Sequence, residues 1–327
     1  MKRVEGFGVA GYGGRGKLIA RRLAELGFKV LGVYDSNPAQ LNDAPFHTFT
    51  DLDALLRLDL SALTVATWPS SHAKIAERAL ERGLDVFIEK PMGATLAQSQ
   101  QIAQTQKRSG RLVVVGYVER LNPAIIKLRD VADLGEVVRS REIRIGLSPP
   151  STSGYGALLD LGSHSIDMAY HLFHAEPKVR SAILTIEQDG KPDYEAMIEL
   201  DYGHTRSYVE VRLTNIRRRR LELDTDREYY EVTYTPAALK IGFSPPKLGR
   251  RPQSFEDLEQ LSKNVETAFD ITRREPINVM LQHFAESVKK GSVIEPLCTA
   301  DEALVTARAI DDAKKVATYR LIKRSSA

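Results

Sequence analysis

The stretch Gly11-Tyr12-Gly13-Gly14-Arg15-Gly16 leaves this chain few folds to choose from. The short apolar run Val4 to Ala10 precedes it. An amphipathic run, Lys17 to Leu26, follows and stops at Gly27. A second apolar run, Phe28 to Tyr34, ends at Asp35. Strand, glycine turn, helix, strand and acid form the frame that a dinucleotide fingerprint requires. Gly11 permits the tight turn, Gly13 lets backbone amides approach a pyrophosphate, and Gly16 lets the helix pack closely on the strand. The helix N-terminus then faces phosphate, and Asp35 is placed to bond a ribose 2′-hydroxyl. A glycine-rich turn in another α/β fold is the plain alternative. The Asp35 carboxylate repels a 2′-phosphate, so NAD is expected over NADP. Ser36 and Asn37 could bond a phosphate, but no arginine follows at once.

The alternation then continues. Helical spacing over Asp51 to Leu58 leads to a strand, Ser61 to Thr67, and the turn Trp68-Pro69-Ser70-Ser71-His72. Ser70 or Ser71 is expected to cap a helix that Gly83 stops. Asp85 to Ile88 reads as a strand closing on Glu89-Lys90-Pro91; Thr95 to Arg108 reads as a helix and Arg111 to Val115 as a strand. Strands alternating with helices imply a parallel, doubly wound sheet, with ligands beyond the carboxyl ends of its strands. The candidates for holding the cofactor therefore lie at those ends. They are Gly11, Tyr12, Gly13, Gly14, Arg15 and Gly16, then Asp35 and Ser36, then Thr67, Trp68, Pro69 and His72, then Glu89 and Lys90. A lysine at a strand end is usually solvated. Pro91 restricts Lys90 to extended geometry, and a cation there could bond a substrate hydroxyl and favour an alkoxide.

Gly116 to Pro123 reads as the join of two domains, a nucleotide-binding domain over 1–121 and a substrate and assembly domain over 122–327. Asn122 can cap a helix with Pro123 at its first position, which is its plainer role; Tyr117, Arg120 and Asn122 are also candidates to touch substrate. After the strand Glu136 to Ile145, a loop rich in proline, serine and glycine leads to Gly156-Ala-Leu-Leu-Asp160-Leu-Gly-Ser-His164. If the helix has begun by Asp160, that carboxylate and His164 share one face, about 5–6 Å apart at Cβ. A carboxylate beside an imidazole orients the ring and favours its charged form, which suits proton transfer at an alcohol. The plain alternative is a helix entry with Asp160 as cap and His164 buried. His164, Asp167, His171 and His174 share a stripe, but ordinary packing accounts for it, and no metal is expected. Alternating segments from Val179 to Ile241, separated by turn signals such as Asp189-Gly190, read as a mostly antiparallel sheet. One face should pack on helices and the other is free to pair with a second subunit. The run Arg217 to Arg220 is open to anionic substrate or a neighbouring subunit, a solvated strand end being plainer. Ser254 to Phe269, Ile277 to Lys290 and Ala300 to Val316 read as helices, the last ones expected to return to the first domain.

At 327 residues the chain fits two domains, and a net charge of +3 with mixed signs gives no electrostatic case for nucleic acid. The one cysteine, Cys298, excludes an internal disulfide and a cysteine-based zinc site. No apolar run reaches the roughly 18–20 residues of a membrane span, and no secretory segment opens the chain; a cytoplasmic location is expected.

In order, Gly11-x-Gly13-x-x-Gly16, Glu89-Lys90-Pro91, Gly116-x-x-x-Arg120-Leu121-Asn122-Pro123 and Asp160-x-Gly162-x-His164 resemble the motifs of the Gfo/Idh/MocA (glucose–fructose oxidoreductase / inositol dehydrogenase) family over nearly the whole chain. The resemblance implies a Rossmann domain followed by an α+β domain with an open-faced sheet, assembling through that sheet into dimers or tetramers. It implies that Lys90, Asp160 and His164 form the catalytic set of an NAD(P)-dependent sugar oxidoreductase. Val118 to Ala124, Gly146 to Pro150 and Arg274 to Phe284 are similar to nucleotide-sugar members of the UDP-N-acetylglucosamine 3-dehydrogenase kind. Gly162-Ser163 and Leu121 depart from them. A dehydrogenase of inositol or free sugars, and a non-catalytic regulator that binds NAD and sugar, are the alternatives.

Overall fold

The computed structural model describes residues 6–146, 154–187, 192–226, 228–243, 256, 267–269 and 275–322. The chain divides into two compact units, one of residues 1–121 with 275–308, the other of residues 122–274 with 309–327.

In the first unit the buried runs form strands because Val, Ile, Phe and Ala fill both faces of a parallel sheet. β1 (Phe7–Ala10), β2 (Val30–Tyr34), β3 (Thr48–Phe49), β4 (Ala62–Val65), β5 (Asp85–Ile88) and β6 (Val113–Val115) lie in the order 3-2-1-4-5-6, all parallel. This is the Rossmann order, with its topological switch between β1 and β4. Helices α1 (Gly14–Glu25), α2 (Leu52–Leu56), α3 (Pro69–Glu81) and α4 (Leu96–Ser109) connect the strands. Neither Ser70 nor Ser71 caps α3: the helix starts at Pro69, whose missing N–H costs nothing at a first helical position, and Trp68 precedes it. β3 has too few residues to show a period and escapes a reading by pattern.

A second segment completes this unit. In α7 (Pro276–Lys290), Phe284 packs at 5.6 Å from Phe87 and 6.1 Å from Phe7, ring centre to ring centre. Gly291 closes α7 with φ +77°. β15 (Cys298–Thr299) then pairs antiparallel with β6 and covers that edge of the sheet. Thr299 and Glu302 form a reciprocal capping box at the start of α8 (Ala300–Val316).

The second unit is built on nine strands among the described residues. β7 (Val137–Gly146), β8 (Lys178–Ile186), β9 (Glu195–Asp201), β10 (Arg206–Leu213), β11 (Arg218–Thr225), β12 (Glu228–Tyr234), β13 (Ala237–Phe243), β14 (Thr267–Phe269) and β16 (Ala317–Leu321) lie in the order 14-13-12-11-7-10-9-8-16. Neighbours are antiparallel except β7 with β10 and β8 with β16. Residues 267–269 are a strand, not the end of a helix, because they pair with β13. The tail likewise turns from α8 into β16. Most of the Ser254 to Phe269 helix expectation, and the loop over 147–153, fall outside the described residues.

One face of this sheet carries apolar cores against α5 (Pro123–Val131) and α6 (Ser163–Phe173). The other is laced with cross-strand ion pairs, including Arg139–Asp224 at 2.6 Å, Arg141–Glu210 at 3.2 Å and Arg220–Glu231 at 3.0 Å. Arg220 therefore answers acids of its own sheet. The alternation is visible on β10, where Val209 and Val211 are buried while Tyr208, Glu210 and Arg212 are not. Deeper in the unit, Arg144 donates to Glu142 at 2.7 Å, both fully buried, with its guanidinium 4.8 Å from the centre of the Tyr234 ring.

Truncating Phe284 to alanine removes a buried ring on which the added segment depends, at a cost of about 3–5 kcal/mol. Trp68, the one tryptophan of the chain, lies in the same unit; a urea titration followed by its fluorescence should show the midpoint falling accordingly.

Candidate active site

The glycine turn grows directly out of β1. Gly11 has φ +91°, and a Cβ on it would meet the backbone of Ala66 and Thr67 at 2.6–2.7 Å. A Cβ on Gly16 would lie 1.8 Å from the carbonyl oxygen of Gly11. These two positions accept only glycine. Gly13 and Gly14 differ: a Cβ on either would meet nothing within 4 Å. Gly13 is the N-cap of α1 and offers no side chain to the first turn, which contains no acid. The result is a cradle of backbone N–H donors at a helix N-terminus, open above two glycines, and it fits a pyrophosphate.

Asp35 is fixed beside the cradle. Its Oδ2 accepts from the Tyr12 N–H at 2.7 Å and its Oδ1 from the Asn37 N–H at 2.9 Å. Ser36 between them is exposed. Arg15 donates through Nε to Glu89 Oε1 at 2.8 Å, and the Glu89 charge raises the pKa of the guanidinium further. Arg15 and Glu89 thus tie the glycine turn to the end of β5, next to Lys90. At the end of β4, the Thr67 hydroxyl accepts from Ser71 at 2.8 Å, Trp68 is 52% exposed, and Pro69 is buried as the first residue of α3.

His72 occupies a different place from the one its motif suggests. It is wholly buried, with Nδ1 3.0 Å from the Pro91 carbonyl oxygen and Nε2 3.0 Å from that of Thr67. It pins the loop that carries Lys90 to the end of β4 rather than facing a ligand. Lys90 itself is half-buried and joined to Pro91 by a cis peptide. Tyr117 is buried in the core of this unit. Arg120 is 2% exposed and donates to Glu302 at 3.1 Å, which anchors it to the start of α8. Asn122, in the second unit, caps α5 through Oδ1 on the Ala124 N–H at 3.0 Å and donates Nδ2 to the Tyr234 carbonyl at 3.1 Å. Arg120 thus ties its turn to the start of α8, and Asn122 joins the start of α5 to β12.

In the second unit the chain is already helical at Ala157, so Asp160 is no cap. Leu158–Gly162 form a π-helical turn that runs straight into α6. Asp160 lies in the π turn and His164 in the first turn of α6, 7% and 9% exposed. Single π turns inside helices recur at functional sites, and no sequence signal announces this one. Asp193 is a second residue that pattern misses. Its Oδ2 accepts from the Leu158 N–H at 2.7 Å and its carbonyl from the Ala157 N–H at 2.7 Å. Among the described residues no cluster of three or more His, Cys, Asp or Glu is placed to hold a metal, and no helix is long and apolar enough to cross a membrane.

Residues 6–117 match the family model described as an oxidoreductase family with an NAD-binding Rossmann fold. The chain is 25% identical over 239 residues to the UDP-N-acetylglucosamine 3-dehydrogenase of Acidithiobacillus ferrooxidans, covering 72% of this chain and 75% of that one. It is 27% identical over 261 residues to the scyllo-inositol 2-dehydrogenase (NAD(+)) of Bacillus subtilis, covering 75% and 72%. Two further curated relatives match over half of their length or less. The solved structure of the Acidithiobacillus enzyme has a TM-score of 0.80 at 21% identity, over 95% of this chain and 97% of that one. That of KijD10, a 3-ketoreductase from Actinomadura kijaniata in complex with TDP-benzene and NADP, has 0.79 at 18%, over 98% and 100%. At these identities the likeness of structure is one of fold.

The buried His72 carries a pH signature. Burial lowers its pKa, against the carbonyls of Thr67, Pro91 and Met92 and the Glu89 carboxylate, which raise it. The folded ring therefore releases its proton more readily than the unfolded one, whose pKa is about 6.5. The stability it contributes is complete above about pH 6.5 and is lost as pH falls through the folded pKa. Urea midpoints of the first unit, read from Trp68, should decline as the buffer is acidified below about pH 6.5, and less steeply in His72→Gln.

Proposed function

We propose that the chain is a member of the Gfo/Idh/MocA oxidoreductase family, whose model residues 6–117 match, and that it oxidises a secondary hydroxyl of a nucleotide sugar with NAD, the same site serving keto-sugar reduction in reverse. The observation that carries this reading is the cradle at Gly13 and Gly14, open above two glycines and flanked by the fixed Asp35 carboxylate. When bound, NAD supplies the acceptor for the hydride that leaves the carbinol carbon. The backbone donors at the start of α1 hold its pyrophosphate, and Asp35 accepts from the adenosine ribose. A carboxylate whose two oxygens are already fixed by the Tyr12 and Asn37 amides cannot swing away from a 2′-phosphate. That favours NAD, although KijD10 is seen with NADP.

The remaining chemistry belongs to side chains. The His164 ring takes the proton of the substrate hydroxyl as general base. Asp160 orients the ring and favours the imidazolium that results. The Lys90 ammonium donates to the same oxygen and favours alkoxide character while the C–H bond breaks. UDP-N-acetylglucosamine is the first substrate to test, given the Acidithiobacillus relative, and inositol the second, given the Bacillus one.

Turnover is measured as NADH absorbance with NAD or NADP against UDP-N-acetylglucosamine, free sugars and inositols. His164→Ala should lower kcat by about 10²–10⁴-fold while NADH still quenches Trp68, which stands exposed at the end of β4. Equal turnover in the variant removes His164 from the mechanism. Binding without turnover on every substrate in the panel would favour a regulator instead.

We also assign self-association to the charged face of the second unit's sheet, where acids and bases alternate and Tyr208 and Met197 are exposed. Sedimentation should show a dimer or tetramer that Tyr208→Glu shifts toward monomer. A wild-type monomer at micromolar concentration argues against it.

A further inference from the structure

The residues proposed for proton transfer stand on an unusual piece of backbone. Asp160 lies within a π turn, where hydrogen bonds span one residue more than in an α-helix, and His164 lies just after it. Such a turn holds one residue more than α geometry needs for the same rise. Its leading end, like that of any helix, presents backbone donors that need partners. The donors at that end are the N–H groups of Ala157 and Leu158, which have no partner inside the helix.

Both are taken by one residue. Asp193 accepts from the Ala157 N–H through its main-chain carbonyl and from the Leu158 N–H through its carboxylate, each at 2.7 Å. Its own backbone is anchored by the sheet. The next residue, Tyr194, donates to the Thr185 carbonyl at 3.0 Å and accepts from the Leu213 N–H at 2.8 Å, bridging β8 and β10. Gly156 makes the approach possible. It has φ +75°, and a Cβ there would lie 2.3 Å from the carboxylate of Asp193. The carboxylate is buried, and burial raises its pKa. The Leu158 and Ala157 amides and the Lys314 charge act the other way.

We infer that Asp193, with Gly156, is a positioning residue for the acid–base pair: it clamps the leading end of the π turn to the sheet and so fixes the backbone that carries Asp160 ahead of His164. The inference rests on the roles proposed for Asp160 and His164. Without the clamp the leading end of the turn frays and the backbone that carries Asp160 is no longer fixed, while α6 stays seated on its core.

The test uses the full chain and has two arms. In the first, hydrogen exchange followed by mass spectrometry should show residues 157–162 of Asp193→Ala exchanging at least about tenfold faster, with α6 beyond residue 166 unchanged. In the second, kcat for UDP-N-acetylglucosamine with NAD should fall by up to about 10²-fold while NADH quenching of Trp68 is retained. Asp193→Asn, which keeps an acceptor oxygen, should restore most of the exchange protection and of kcat. Val232→Ala serves as the control, since Val232 lies in a different core of the same unit from Leu158. It lowers stability without touching the turn and should keep its kcat. Unchanged exchange in Asp193→Ala overturns the inference. So does a kcat loss that Val232→Ala reproduces at equal melting temperature. Failure of the functional reading looks different: His164→Ala then leaves turnover untouched, or the wild type turns over nothing, while the exchange arm still decides whether Asp193 holds the turn.

Discussion

Helix α1 meets strand β1 with no room for a methyl group. The carbonyl oxygen of Gly11 lies where a Cβ of residue 16 would have to go, 1.8 Å away. Much of the first unit follows from that contact. It brings the first turn of α1 over the end of β1, so the unpaired N–H groups of the helix gather at the switch point of the sheet. It lets Asp35 reach the Tyr12 amide from the end of β2, and Arg15 reach Glu89 at the end of β5. The strand ends on both sides of the switch point are thus bonded to one turn, and Lys90 is the residue after one of those bonds.

The second unit solves a different problem. Among the described residues its sheet has helices on one side only, and the strands make the other side acceptable to water. The strands achieve this by placing arginine opposite glutamate or aspartate across neighbouring strands, a pattern worth little per pair but effective against an apolar face. On the helix side the same alternation delivers Val209, Val211, Ile198 and Leu200 to the core below the helix that carries Asp160 and His164. The function proposed for that helix therefore depends on a sheet whose two faces obey opposite rules.

Much of this was legible in the residues, for physical reasons. Buried parallel strands read as unbroken apolar runs, and a glycine turn followed by a helix and an acid has few other uses. Helices with a proline at the start or a glycine at the stop announce their own ends, as Pro123 and Gly291 do. What was hidden is contact between residues distant in sequence, or geometry without a composition of its own. β3 and β15 are two residues long, and only pairing defines them. The π turn has the same kinds of residue as an α-helix. His72 occupies a motif position that suggests a ligand, yet the Pro91 carbonyl meets its ring, and Arg120 finds Glu302, 182 residues away. Asp193 lies 35 residues from the amide it caps, beyond the reach of any local pattern. The buried Glu142–Arg144 pair interrupts an otherwise regular strand and would be read as surface.

The strand that covers the edge of the first sheet contains the chain's one thiol. Cys298 is buried at 1% exposure and sits on β15, opposite Val115 of β6. A thiol in that position meets no reagent while the pairing lasts. Alkylation of Cys298 would therefore proceed only in the moments when the structure around β15 opens, and its rate would clock that opening.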